Sequence, residues 1–510
     1  MTRREQTYRP ARRAGLRQPF LRKPLEVFQA EAEVERERVP SKGFGVLSLT
    51  LFGIGTMIGL GIFVVTGQVA ARSAGVGVVI SFILAAGLCG CAALCYAELA
   101  SMAPVAGGSA YVFTYVTLGE LAAWLMAWDL LLEYLFGGAA LAIGWSGYFV
   151  DLCRDLGLEW PAQLTQSPFA IDGRVVRATG ALFNLPAVAL VLCAGVIVAS
   201  GAKMVARFGS LIVSLKLAVI FLVVSFGLSH VHLANWTPVI APAEIVGGVS
   251  RYGWGGVIAG VGLIFYSYLG FDMISTVGQE ARDPQRTIPA AILISLSVCT
   301  LLYILTSLTL TGLVSYRALD VPAPIYYAID HGDRGLAWLK PVVSIGGTVG
   351  LCSGVMAALF SQSRLFYGLA RDGLLPAAFG RSRHTSRAPS LSAALSTVLA
   401  AVLAAVVPIS LLGEFISAGT LVALAMVSGA VIYLRLTRPR APRPFRVPVW
   451  PVTSAIAVCG CIYFLITMSP VSWVRIVIWM ALGLAVYFAR PVRALPKWRR
   501  ALEEARQIST

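Results

Sequence analysis

Runs of about 20 apolar residues recur along the whole chain, the length a helix needs to cross the hydrocarbon core of a bilayer. Twelve such segments lie near 44–66, 76–100, 118–150, 180–200, 208–229, 253–279, 289–313, 338–369, 391–408, 411–434, 449–469 and 471–489. Inside lipid, backbone N–H and C=O groups must be satisfied by a helix or by a closed barrel. Period-2 alternation is absent from these runs, so all twelve are predicted to be helices. Of the 510 residues, 57% are hydrophobic and only 13% are charged. A soluble domain carries ~25% charged residues, so a water-soluble fold is excluded.

The formal net charge is +16. A basic chain can bind nucleic acid or an anionic membrane surface. Here the Lys and Arg residues sit in short segments between apolar runs, so membrane lipid is the expected partner and nucleic acid is not. Their placement also orients the chain. With a cytoplasmic N-terminus, few of the 41 basic residues face outward: Arg72, Arg154, Arg174, Arg177, Arg251, Arg317, Arg334, Lys340 and Arg475. Lys216 lies within a span, and the rest fall on the inside. The expected location is the cell (inner) membrane, multi-pass, with both termini cytoplasmic.

Residues 1–43 contain no apolar core of a signal peptide. They read as a basic cytoplasmic tail, soluble, with a short amphipathic helix around Pro24–Glu37. Spans one to five occupy 44–229, spans six to ten occupy 253–436, two more occupy 449–489, and residues 490–510 form a second cytoplasmic tail. Most of the nine Cys lie inside apolar runs and read as small core residues rather than disulfide partners. The four His fall in loops with no partner cluster, so no metal is expected. No phosphate-binding loop of the G-x-x-x-x-G-K-[ST] form appears, and no His, Asp or Cys residues converge at a span end. No cofactor, ATP drive or enzymatic activity is therefore expected.

Two spans are interrupted at corresponding places. The first contains Gly53, Gly55, Gly59 and Gly61 around Met57, and each Gly weakens a helix by up to ~1 kcal/mol relative to Ala. The sixth contains Tyr266-Ser267-Tyr268-Leu269-Gly270-Phe271-Asp272, a Gly and a carboxylate at mid-span. If spans one to five and six to ten are inverted repeats, the breaks fall in equivalent helices and mark a midplane site. An unwound helix leaves amides and carbonyls without partners. A half-helix N-terminus attracts a carboxylate, and the carbonyls beside it attract an ammonium. An amino acid zwitterion offers both.

The stretch Gly53–Gly67, Ala97-Glu98-Leu99-Ala100 with Pro104, Gly107, Gly108 and Tyr111, and Trp128-Asp129-Leu130-Leu131-Leu132-Glu133-Tyr134 together resemble the amino acid–polyamine–organocation superfamily. Gly270-Phe271-Asp272, Glu280–Arg286, and Arg364-Leu365-Phe366-Tyr367 with Arg371-Asp372-Gly373-Leu374 extend the likeness to its bacterial cationic amino acid transporter branch. The resemblance implies an all-α polytopic protein with a LeuT-type 5+5 inverted repeat and two additional C-terminal helices. It implies that a substrate carboxylate meets the amides of Leu60 and Gly61. The amino group would meet carbonyls of Met57, Tyr266, Ser267 and Leu269. Lys216 matches the lysine that replaces a sodium site in proton-coupled members. The implied activity is a secondary amino acid permease, proton-coupled and sodium-independent; an exchanger of the same fold and an amino-acid-binding membrane sensor are the alternatives.

An ionisable group within a span costs about 2.5–3.5 kcal/mol to insert, so each one needs a reason. Lys216 reads as a fixed charge facing the first break and a candidate for proton exchange. Asp272 follows the second break, where it can hydrogen-bond exposed backbone. Glu133 lies one turn beyond Asp129 on the same face of span three and could pair with a cationic substrate or with neighbouring helices. Glu98 and Glu120 read as interfacial. The eighth span is expected to line the pocket with Cys352, Ser353 and Met356. Gln279 and Leu60 depart from the family pattern, in which Glu is common at the first position and Ala, Ser or Thr at the second. Leu60 is expected to narrow the pocket in favour of small side chains. Leu60→Thr should then admit larger amino acids in a competition assay in proteoliposomes, and an unchanged ranking would refute this.

Overall fold

The structure is a computed structural model that describes residues 19–38, 44–59, 61–104, 110–172, 175–246, 249–268, 270–321, 323–380, 390–468 and 470–489. The chain opens with α1 (Leu25–Arg38) and α2 (Val46–Met57). Past the first break, a wide turn Gly61–Val65, α3 (Thr66–Val69) and a second wide turn Ala70–Ala74 lead into α4 (Val78–Met102). The bundle continues with α5 (Ala110–Thr117), α6 (Glu120–Asp155), α7 (Leu185–Ala199) and α8 (Ala202–Leu228). After these come α9 (Gly253–Phe265) and, past the second break, α10 (Met273–Thr276). The remaining helices are α11 (Pro284–Leu313), α12 (Pro324–His331), α13 (Leu339–Arg371), α14 (Ser390–Val406), α15 (Ile409–Thr437), α16 (Trp450–Thr467) and α17 (Pro470–Ala489).

Among the described residues, eight helices are long and apolar enough to cross a membrane, and four shorter apolar helices accompany them. Two of the four, α2 and α9, are short because each stops at one of the two interruptions. The chain is a membrane protein, as its apolar runs require. Loop segments outside the bundle hold structure that the apolar pattern did not announce. β1 (Phe169–Asp172) pairs antiparallel with β2 (Val175–Ala178), and β3 (Glu244–Val246) pairs with β4 (Val249–Arg251). These short hairpins lie outside the apolar spans.

α13 forms the axis, packed on α6, α8 and α14 and touching α2. α2 also lies along α11 and α8, and α4 lies along α11 and α9. The first and second halves therefore interleave, which brings both interrupted segments into the interior. α16 and α17 sit outermost and present Ile466, Val477 and Ile478 outward, the large apolar surface a bilayer covers.

The N-terminal segment corrects the expectation of a free soluble tail. The helix around Pro24–Glu37 is present as α1, but it is docked, with Leu25 and Phe28 buried. Lys23, 0% exposed, pairs with Glu31 at 2.8 Å and with Asp372 at 2.7 Å just beyond α13. The Tyr111 hydroxyl donates to the same Asp372. The segment before α1 also completes another helix. Gly119, at φ +104°, precedes α6 without a side-chain cap, and the carbonyls of Pro19 and Leu21 accept from Leu121 N and Glu120 N instead. A side chain at Gly119 would strike Phe20 backbone within 3.0 Å. This segment reads as a solvated tail because Lys23 and Glu26 find countercharges, Asp372 and Arg438, hundreds of positions away.

Glu98 is corrected in the same way. It is 1% exposed rather than interfacial. Its carboxylate accepts from Arg435 at 2.9 and 2.5 Å, from Arg443 Nε at 3.1 Å and from Val447 N at 2.7 Å. Glu120 is half-buried and accepts from the Tyr487 hydroxyl. At the same end of the bundle the two broken segments are tied together. Phe44 N donates to Glu280 O at 2.8 Å, and Arg282 N donates to Phe44 O at 3.1 Å. A buried ion pair between Arg364 and Glu280 then fixes this junction to α13.

Candidate functional site

Both interruptions fall where Gly weakens the helix, and the tertiary structure sets them against each other. α2 ends at Met57, and Ile58 leaves the helical region at φ −75°, ψ 90°. A second half-helix begins at Gly61. In the other segment α9 stops at Phe265, a tight turn Tyr266–Tyr268 follows, and Gly270 adopts φ +113°. A Cβ at Gly61 would sit 2.5 Å from Ser267 Cβ, so the breaks are in direct contact. A Cβ at Gly270 would sit 2.5 Å from Thr56 Cβ.

The freed backbone groups find partners on α8, on α11 and within the two broken segments themselves. Lys216 of α8, fully buried, donates to Gly55 O at 3.0 Å, Ile58 O at 2.6 Å and Ser353 Oγ at 2.9 Å. Its three protons are all used, two of them on carbonyls of the first break. Thr56 Oγ1 lies 2.6 Å from Gly53 O and 3.0 Å from Gly270 O. The Tyr303 hydroxyl of α11 lies 2.7 Å from Met57 O and 2.6 Å from Ser267 O. Asp272 accepts from Gly270 N at 3.2 Å and from the Tyr134 hydroxyl of α6 at 2.9 Å. It therefore braces the second break.

Beside the breaks lies a cavity of about 40 Å³. At 10–15 Å³ each, that is room for about three waters, so a larger solute requires the flanking helices to separate. Its wall comprises Thr56, Met57, Gly59 and Gly61 of the first segment and Met273 of the second. Glu133, Gly137 and Leu141 of α6, Gly354 and Ala358 of α13, and Ile416 of α15 complete it. Glu133 is 1% exposed, and neither carboxylate oxygen has a hydrogen-bond partner among the described residues. Asp129, one turn earlier, is buried beside Gly419.

Of the residues singled out from the sequence, Met57, Gly59, Gly61 and Glu133 line this cavity. Ser267 abuts Gly61, and Asp272 and Lys216 brace the breaks from behind. Ser353 faces Lys216 and Gly55 rather than the cavity, where Gly354 and Ala358 stand for α13. Met356 is buried toward α8, near Gly209, and Cys352 is half-buried with its thiol toward Thr348 O. Leu60 and Leu269 lie outside the described residues, and so do the side chains of Tyr266 and Gln279. Three contributors were missed: Thr56, Tyr134 and Tyr303. Thr56 and Tyr134 sit inside the quoted motifs, but Tyr303 is a lone aromatic in an apolar run, and no local pattern marks it.

A many-helix membrane protein with two interrupted helices meeting beside a mostly apolar cavity that holds the buried carboxylate of Glu133 has the architecture of a solute carrier. Residues 44–488 match the model of the amino acid permease family, and the chain belongs to that family. It is 39% identical over 469 residues to the methylthioribose transporter of Bacillus subtilis (strain 168), covering 92% of this chain and 97% of that protein. It is 35% identical over 458 residues to the branched-chain amino acid permease BcaP of the same organism, covering 90% and 94%. With cationic amino acid transporter 4 of Mus musculus it shares 35% over 424 residues, 82% of this chain and 63% of that protein. These relatives are transporters, and membrane transport is the activity of this chain.

Gly270→Ala should destabilise the protein by about 1–3 kcal/mol, because positive φ strains any Cβ and this one meets Thr56. Thermal unfolding in detergent measures it; a melting temperature equal to wild type would show that the second break tolerates a side chain.

Proposed function

We propose that the protein is a secondary active L-amino acid transporter, proton-coupled and sodium-independent, working by alternating access. In this reading the described helices form a LeuT-type 5+5 inverted repeat with two additional C-terminal helices, giving twelve spans. The protein lies in the cell (inner) membrane with both ends cytoplasmic. The substrate carboxylate lies against the amides of Leu60 and Gly61, at the start of the second half-helix, where free N–H groups and the helix dipole favour an anion. Its ammonium lies against the carbonyls of Met57, Tyr266, Ser267 and Leu269. The observation that carries the reading is the contact of the two breaks, Gly61 on Ser267, beside a cavity walled by both segments.

The cargo is most simply a neutral aliphatic amino acid. Leu141, Ile416, Met273 and Ala358 give the cavity an apolar wall, and a branched-chain permease is among the relatives. Glu133 is the one ionisable group among the described residues of that wall and would add a cationic or hydroxylated cargo. That possibility gains weight from the methylthioribose transporter, whose cargo by name is a sugar. Lys216 supports proton coupling: its ammonium group already occupies carbonyls that would otherwise face a metal cation.

The test is a thermal-shift panel of the twenty amino acids and methylthioribose on purified protein, followed by uptake into proteoliposomes. Binding stabilises the folded state by about 2.7 kcal/mol at a hundred times Kd. The expected result is stabilisation by aliphatic amino acids and uptake driven by an inward proton gradient without sodium. Lys216→Ala should abolish the response to the gradient. Stabilisation by methylthioribose alone would overturn the amino acid reading, and unchanged proton dependence in Lys216→Ala would remove that residue from coupling.

A further inference from the structure

Three residues of α6, Glu133, Gly137 and Leu141, line the cavity at intervals of four, so they stack along one face of that helix. The Leu141 end of the stripe is closed. A Cβ at Gly59 of the first break would come within 2.8 Å of Leu141 Cδ2, and one at Gly354 of α13 within 2.8 Å of Leu141 Cδ1. One leucine therefore sets a methyl against each of two glycines on two different elements. The other end is the carboxylate of Glu133, 1% exposed and without a hydrogen-bond partner among the described residues.

The middle of the stripe is open. A Cβ at Gly137 would meet nothing within 4 Å, whereas one at Gly138 would lie 3.3 Å from Ala358 Cβ. Close packing of α6 on α13 accounts for Gly138 and not for Gly137. Glycine inside a helix is disfavoured relative to alanine, and alanine would fit at 137. The space in front of Gly137 is thus kept free although nothing in the protein occupies it.

We propose that Gly137 and Leu141 are specificity-determining residues that fix the size of the cargo's side chain. Gly137 leaves the space that the side chain enters, and Leu141 closes the end of that space. This rests on the amino acid reading above and deepens it. Separation of the flanking helices widens the cavity, but it does not lengthen α6. Glu133 and Leu141 stay about 12 Å apart along the helix, at 1.5 Å per residue, and their own side chains take part of that length. A short branched aliphatic side chain fits what is left, and a phenyl ring meets Leu141.

The experiment measures binding of L-alanine, L-leucine and L-phenylalanine to wild type, Gly137→Ala, Leu141→Val and Leu141→Ala, with the melting temperature of each protein alone. Should the panel select another amino acid, that one replaces leucine, flanked by a smaller and a larger homologue. One methylene in an apolar pocket changes discrimination by roughly 10–200-fold. Gly137→Ala should raise the Kd for leucine by about tenfold or more and move that for alanine by no more than about twofold. Its melting temperature should stay at or above that of wild type, because alanine favours the helix. Leu141→Ala should improve phenylalanine relative to leucine by about tenfold or more, and Leu141→Val, the milder change, should move the ratio the same way. Residues that only pack helices would instead lower the melting temperature and weaken all three probes alike. That result, or leucine binding in Gly137→Ala equal to wild type, overturns the proposal and leaves the amino acid reading intact. If the wild-type protein binds none of the amino acids, the reading beneath the proposal fails and the proposal with it.

Discussion

A bilayer offers no water to a broken helix, and that single constraint organises the centre of this protein. Interrupting two spans frees backbone carbonyls and amides that cost several kcal/mol each if left alone in hydrocarbon. Several partners come from other helices of the bundle. Lys216 of α8 takes the carbonyls of Gly55 and Ile58, and Tyr303 of α11 takes those of Met57 and Ser267. Asp272, held by Tyr134 of α6, takes the amide of Gly270. The breaks exist only because the surrounding helices close around them, so the site and the fold are one structure.

Satisfaction is uneven among the buried polar groups. At the basic end the buried charges are heavily bonded. Glu98 meets two guanidinium groups and an amide, Lys23 meets two carboxylates, and Arg364 pairs with Glu280. Removing one partner from such a pair is strongly destabilising, which ties α1, α4, α13, α15 and the second break into one assembly. At the centre Lys216 and Asp272 are bonded as fully. Glu133 and the Ser267 hydroxyl keep polar atoms without hydrogen-bond partners among the described residues, Glu133 on the wall of a cavity with room for about three waters.

Much of this was legible from residue order. The apolar runs marked where the long helices lie, though α8 begins at Ala202 rather than 208 and the first segment stays helical to Ala74, because length and hydrophobicity are local properties that lipid demands outright. The Gly cluster at 53–61 and the Gly270–Asp272 triplet marked both breaks, because Gly and a carboxylate weaken a helix wherever they stand. Met57, Gly59 and Gly61, expected at the site, line the cavity, Glu133 joins them there, and the α13 side of the wall shifted from Ser353 and Met356 to Gly354 and Ala358. A one-residue change of register on a helix turns a side chain by about 100°, more than a motif resolves.

By itself the sequence determined that this chain lives in a membrane, is helical, and breaks two of its helices. These follow from composition and local propensity, which need no partner to act. Only the tertiary structure decided that Lys23 and Glu98 are buried rather than solvated, since each meets a countercharge, Asp372 or Arg435, more than 300 positions away. The same holds for the meeting of Met57, Ser267 and Tyr303 at one hydroxyl. A contact between distant residues depends on how the helices pack, and helix packing is set by the whole bundle at once.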